Sequence, residues 1–205
     1  MARPVDPERH RARRLLIIDA GLTAFAEYGY AGATTAIICR AAGVGSGTFF
    51  HYFPTKLALL VAIIEEGTRE ISAFFAARSD ARSPRGEVLA YLDHALVELR
   101  DPRVAGFVAA VGGLLPIPEV AAALSADDAT LRGELLPWLR AAQESGEIRV
   151  DVPAERLAAW IALLLDGVTA RVALGGDFVP QREAPLFLEQ VAHLLGSAHE
   201  EECSG

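Results

Sequence analysis

The chain has 205 residues, 52% of them hydrophobic, and a formal net charge of −8. Its apolar content is mostly Ala and Leu, strong helix formers, so the composition predicts an all-α protein and argues against a β-rich fold. The length accommodates one large domain or two small ones. The two cysteines, Cys39 and Cys203, show no metal-ligand spacing and point to a reducing compartment rather than a disulfide scaffold.

The start, "MARPVDPERHRARR", lacks the apolar stretch of a secretory signal. The longest apolar run, "AAWIALLLDGV", is cut by Asp166 and reads as too short to span a bilayer. A soluble, cytoplasmic protein with no membrane partner is expected. The charge is uneven: residues 1–56 carry seven basic groups against four acidic ones, a net +3, and the rest carries −11. A small basic module joined to an acidic body explains this, and so does a surface that is simply acid-rich and soluble.

In chain order, Pro7 and Glu8 start a first helix, in which Ile18, Leu22 and Phe25 mark one apolar face and Gly29 is the stop. Thr34 or Thr35 caps a short second helix, "TAIICRAA", which Gly43 ends. Ser46 is expected to cap a third short helix over roughly 47–52. Pro54 ends that one, and Thr55 opens a long fourth helix with an apolar stripe to about Arg78. A polar break, "RSDARSPRG" (78–86), follows. Further helices are expected near 86–100, 103–114, 118–146, 153–175 and 183–197, about nine in all. Pro137 should kink the 118–146 helix or divide it near Leu136.

The stretch "AAGVGSGTFFHYFPTK" (41–56) stands apart: glycines and hydroxyl side chains, then five ring side chains in a row, then the only lysine in the chain. A helix, a Gly-containing turn and a second short helix form a helix-turn-helix pattern. Gly45 and Gly47 permit close backbone approach, and Ser46 and Thr48 can hydrogen-bond phosphates or base edges. Helical phase turns Phe49 and Phe53 inward toward Phe25. It turns Phe50 outward, where a ring can touch a thymine methyl, and leaves His51 and Tyr52 within reach of phosphates. A cation in the first turn of a helix opposes the helix dipole, so Lys56 should serve a partner outside its own helix, with a DNA phosphate the natural choice.

On these residues, Arg14 to Leu60 resembles the DNA-binding domain of the TetR family of bacterial transcriptional repressors. The resemblance rests on "IIDAGLTAFAEYGYAGATT", "AAGVGSGTFFHYFPTK" and the Leu59-Leu60 pair. It implies an N-terminal three-helix helix-turn-helix domain (1–56) and a larger helical ligand-binding and dimerisation domain (57–205). It further implies DNA contacts by Thr34, Thr35, Ser46, Gly47, Thr48, Phe50, His51, Tyr52 and Lys56. There are departures: position 50 is usually Tyr in the family and is Phe50 here, position 39 is usually Ala and is Cys39, and position 57 is usually acidic and is Leu57. Cys39 reads as a packing residue, with a redox sensor as the alternative.

For the C-terminal body the resemblance implies a homodimer through the last two helices and a small-molecule effector. Segments "ERLAAWIALLLDGVTARVAL" and "PLFLEQVAHLL" are compatible, the first being apolar on more than one face. Phe74, Phe107, Val111, Trp138, Trp160 and Leu164 are the candidate effector-binding residues, each of which reads equally as ordinary core, for a hydrophobic or mildly cationic molecule. Asp166 and Arg171 are expected to pair with each other or across a dimer. No enzyme motif, metal site or cofactor is expected. The expected function is thus a ligand-responsive regulator, a repressor on a palindromic double-stranded operator; the alternative is a small-molecule-binding helical module without DNA binding.

Overall fold

The computed structural model describes residues 6–78 and 83–196. These form nine helices and no strands: α1 Pro7–Gly32, α2 Thr35–Ala41, α3 Ser46–Tyr52, α4 Lys56–Ala76, α5 Pro84–Glu98, α6 Pro102–Gly112, α7 Pro118–Glu144, α8 Ala154–Leu174 and α9 Pro180–Leu195. The 79–82 part of the polar break and Cys203 lie outside the described residues.

Local chemistry sets most boundaries. Asp6 caps α1, its carboxylate accepting from Glu8 N at 3.1 Å, with Pro7 in the first turn. Gly29 breaks the α1 geometry at φ 65°, and a last turn runs on to Gly32. Thr34 caps α2 by accepting from Ile37 N at 3.3 Å, and Thr55 caps α4 by accepting from Ala58 N at 2.9 Å. At α3 the expectation fails: Gly45 occupies the cap position without a side-chain bond, and Ser46 is the first helical residue. The Ser46 hydroxyl is therefore not used as a cap and stands exposed.

Pro137 does not divide α7, which runs unbroken from Pro118 to Glu144. The proline sits on the exposed side beside exposed Gly133, whose carbonyl loses its helical partner, while Leu131, Leu135 and Leu139 are buried on the opposite side. A carbonyl freed there faces the exposed side of the helix, where solvent can reach it.

The core divides in two. The N-terminal cluster joins Ile17, Phe25, Ile38, Phe49, Phe53, Leu59 and Leu60, and it also takes in Val111 from α6 and Val120 from α7. The second cluster joins Phe74, Tyr91, Leu92, Leu135, Leu139, Leu157, Ile161, Phe187 and Val191. The change from one cluster to the other falls within α4, between buried Ile64 and buried Phe74. Each fully buried Leu, Ile or Phe contributes roughly 1.5–3 kcal/mol through area removed from water, and buried Val111 with partly buried Phe107 extends this cluster to α6.

The α1–α6 junction is close. A Cβ added at Gly106 would lie 2.2 Å from the Ala26 carbonyl oxygen, so the two backbones meet with no room for a side chain. Beside it, Arg103 spans the helices. Its guanidinium donates to Asp19 Oδ1 at 2.6 Å and Thr23 Oγ1 at 3.1 Å on α1, and to both carboxylate oxygens of Asp101 on its own side. These bonds hold the Asp101 carboxyl below its ordinary range.

Candidate nucleic-acid interface

α3 carries its rings on two faces. Phe49 is fully buried and Phe53 nearly so, packed at 6.2 Å centroid distance, while Phe50 is 52% exposed. Ser46, Gly47 and His51 are exposed and Thr48 is half-buried, so the first turn of α3 presents small and polar groups outward. The preceding turn depends on Gly43, at φ 60°, a conformation that L side chains rarely adopt. On the adjoining edge Thr34 is exposed at the start of α2, with Thr35 half-buried beside it. Cys39 is buried on the inner side of α2, in the packing environment expected for it.

The two residues closing the surface have intramolecular partners. The Lys56 ammonium donates to the Tyr30 carbonyl at 2.5 Å and lies 4.3 Å from the centroid of the Tyr30 ring. Among the described residues Lys56 thus has a partner at the end of α1, outside its own helix; an ammonium carries three donors, of which this bond uses one. Tyr52 packs its ring at 4.6 Å against His10 of α1, and His51 meets the same imidazole edge-on at 6.2 Å. Sequence reasoning missed His10, because a residue 42 positions from its contact leaves no local signal. Next to it on α1, Arg9, Arg11 and Arg13 are exposed, which makes this rim basic.

The effector candidates do not converge on one place. Phe74, Trp138 and Leu164 belong to the second core cluster. Phe107 and Val111 belong to the head cluster, Phe107 lying 6.5 Å from Phe25. Trp160 is 46% exposed on α8. Among the described residues Asp166 and Arg171 form no ion pair, and no group of His, Cys, Asp and Glu side chains is placed to hold a metal ion.

By length and composition the 21 residues of α8 are long and apolar enough to cross a membrane, a test that the core helix of a soluble protein also passes. Leu157, Ala158 and Ile161 bury one face in the core, whereas Trp160, Leu163 and Leu174 leave another apolar face uncovered. Two apolar faces on one helix raise its hydropathy without any need for lipid.

An all-α chain with a helix-turn-helix at one end and a separate helical core behind it is the architecture of a bacterial one-chain transcriptional regulator. Residues 17–63 match the family described as "Bacterial regulatory proteins, tetR family", and residues 84–196 match the "BetI-type transcriptional repressor, C-terminal" family. The chain belongs to the TetR family of DNA-binding transcriptional regulators, which is not a family of enzymes. It is 32% identical to the HTH-type transcriptional repressor Rv1474c of Mycobacterium tuberculosis over 88% of this chain and 91% of that one. It is 28% identical to the HTH-type transcriptional regulator BetI of Ectopseudomonas mendocina, over 84% and 87% of the two chains. A TetR transcription regulator from Haloarcula marismortui has the same fold, with TM-score 0.77 at 20% identity over 90% of this chain and 98% of that one.

Proposed function

We propose that this protein is a cytoplasmic repressor that binds a palindromic operator as a homodimer and is released by a small effector. The observation that carries the reading is the division of α3: Phe49 and Phe53 anchor it in the core, while Gly47, Thr48 and Phe50 face outward. In this reading Gly47 lets the backbone approach the major groove, Ser46, Thr48 and His51 meet base edges or phosphates, and Phe50 meets a thymine methyl. Thr34, Thr35, Tyr52 and Lys56 hold the phosphate backbone, and His10 steadies the Tyr52 ring.

The dimer surface in this reading is formed by α8 and α9. Trp160, Leu163 and Leu174 on α8 and Leu186 on α9 are exposed apolar side chains that a second copy would cover. The effector would sit near Phe74, Trp138 and Leu164, which share one cluster. Displacement there reaches the head through α4, which runs from one core to the other, and through α6, fastened to α1 by Arg103 and Gly106. The test is fluorescence anisotropy with duplexes from upstream of the protein's own gene, over a range of salt. Saturable, salt-dependent binding with a stoichiometry of two chains per site is expected. A folded preparation that binds none of these duplexes would instead favour a ligand-binding module without DNA binding.

A further inference from the structure

The apolar stripe of α1 ends before the helix does. Ile17 and Ile18 are buried, but one and two turns nearer the N-terminus the inward positions are held by Arg14 and His10, both half-buried. Each sits against a ring at the end of α3. The Arg14 guanidinium lies 5.5 Å from the Phe53 centroid and reaches Glu66 of α4 at 3.4 Å. The His10 imidazole lies 4.6 Å from the Tyr52 ring, tilted by 40°, and 6.2 Å from the His51 ring, edge-on. His51 in turn meets Tyr52 edge-on at 5.2 Å. Two imidazoles and a phenol thus form one cluster, brought together from α1 and α3, with His51 exposed and Tyr52 half-buried.

The charges around this cluster are mostly positive. On α1, Arg9, Arg11 and Arg13 are exposed, and none of their guanidinium groups has an ion-pair or hydrogen-bond partner among the described residues. Of the acids there, Asp6 is occupied in capping the helix and Glu8 is exposed. On α4, Glu66 is shared between Arg14 and Arg69, and Lys56 is bonded to the Tyr30 carbonyl. Among the described residues no carboxylate forms an ion pair with His10 or His51. Unpaired cations gathered on one rim repel one another in the free protein and are relieved when a polyanion arrives. An imidazole joins that rim only when protonated, and its charge changes between about pH 5 and 8. The face of a tyrosine ring favours the charged form by cation–π attraction.

We propose that the first two turns of α1 belong to the DNA interface, and that His10 is a phosphate contact there that works only when protonated, with His51 beside it across the Tyr52 ring. The His10 imidazolium donates an N–H to a phosphate oxygen in a charge-assisted hydrogen bond, while Tyr52 supports its face. DNA binding then takes up a proton. The sign follows from the charge: a bound phosphate favours the imidazolium, so affinity rises as pH falls through the ordinary histidine range and is lost above it. This contact rests on the DNA-binding reading above and lies outside the helix-turn-helix.

The experiment is fluorescence anisotropy at constant ionic strength, from about pH 5.5 to about pH 8, with a duplex from upstream of the gene and a random-sequence duplex of equal length. It compares the full chain with His10→Gln, His10→Arg and His51→Gln, each checked for native helicity. The parent should bind both duplexes at least about fivefold more tightly at the low end of that range than at the high end. Its salt slope should steepen by about 0.9 for each imidazolium engaged. His10→Gln should match the parent at the high end and lose most of the gain at the low end; His51→Gln should lose a smaller part of it. His10→Arg, a permanent cation, should hold the low-pH affinity throughout, and it keeps the test decisive if His10→Gln misfolds. A flat parent profile, or one unchanged in His10→Gln, would overturn the contact while leaving DNA binding itself intact. A loss in His10→Gln that is equal at every pH would overturn it too, by reducing His10 to a support for the Tyr52 ring. Absence of binding to both duplexes at every pH would refute the DNA-binding reading, and the contact with it.

Discussion

Gly106→Ala tests the α1–α6 junction most directly. The added methyl would sit 2.2 Å from the Ala26 carbonyl oxygen and 2.9 Å from both its carbonyl carbon and its Cα. These are backbone atoms inside a helix and cannot rotate away, so α6 and α1 must part by about 1 Å to restore ordinary non-bonded separation. Overpacking of this kind costs ~1–3 kcal/mol, and the upper half of that range applies because no side chain can relax. Ala improves helix propensity over Gly by ~1 kcal/mol, leaving a net loss of ~1–2 kcal/mol. For a chain of this length that corresponds to a fall in Tm of roughly 2–8 °C. Gly67→Ala in α4 is the matched control: a Cβ there meets nothing within 4 Å, so propensity alone acts and the variant should gain ~0.5–1 kcal/mol. Both are measured by thermal and urea unfolding at one protein concentration. If Gly106→Ala melted at or above the parent temperature, the close approach of α6 to α1 would be wrong, and α6 could not carry motion to the head in the way proposed.

Four further substitutions have defined outcomes. Lys56→Ala should lose ~1–2 kcal/mol of stability with its bond to the Tyr30 carbonyl, weaken binding to every duplex alike and lower the salt slope by about 0.9. Thr48→Ala should change which sequence is preferred, and anisotropy titrations across salt separate the two effects. Asp127 has a raised folded-state pKa, so its contribution to stability is fully present below the ordinary aspartate range and is lost as pH rises through the raised value. Asp127→Asn should therefore be more stable than the parent at neutral pH, with the gap closing in unfolding curves below about pH 4. Leu163 is 56% exposed on α8, and Leu163→Glu should convert the proposed dimer into folded monomer in sedimentation experiments; an unchanged dimer would place the interface elsewhere.

Much of the molecule was legible from the chain because the physics involved is local. Thr34, Thr55 and Gly43 lie where capping and positive-φ preferences put them, since a cap needs only a side chain and an amide two or three residues on. Helical phase alone separated buried Phe49 and Phe53 from exposed Phe50, and that separation defines the outward face of α3. Composition and punctuation were enough for an all-α chain with helices near their observed places. Two local expectations differ from the structure: Gly45 rather than Ser46 holds the cap position of α3, and α7 is not divided at Pro137.

Only the tertiary structure decided which distant residues meet. Lys56 with the Tyr30 carbonyl, His10 with Tyr52, Gly106 with Ala26, and Thr68 with Asp127 are separated by 26 to 80 residues, and no periodicity encodes such pairs. The same holds for the core boundary. Apolar positions at helical spacing announce that a side chain is buried, but not against which helix, so Phe107 and Val111 joined the head while Phe74 and Trp138 joined the other cluster. The sequence by itself determined the helices, the helix-turn-helix and the face it presents. The folded chain decided how α6 fastens to α1 and how Thr68 of α4 meets Asp127 of α7, because those arrangements depend on three-dimensional packing that one-dimensional patterns do not contain.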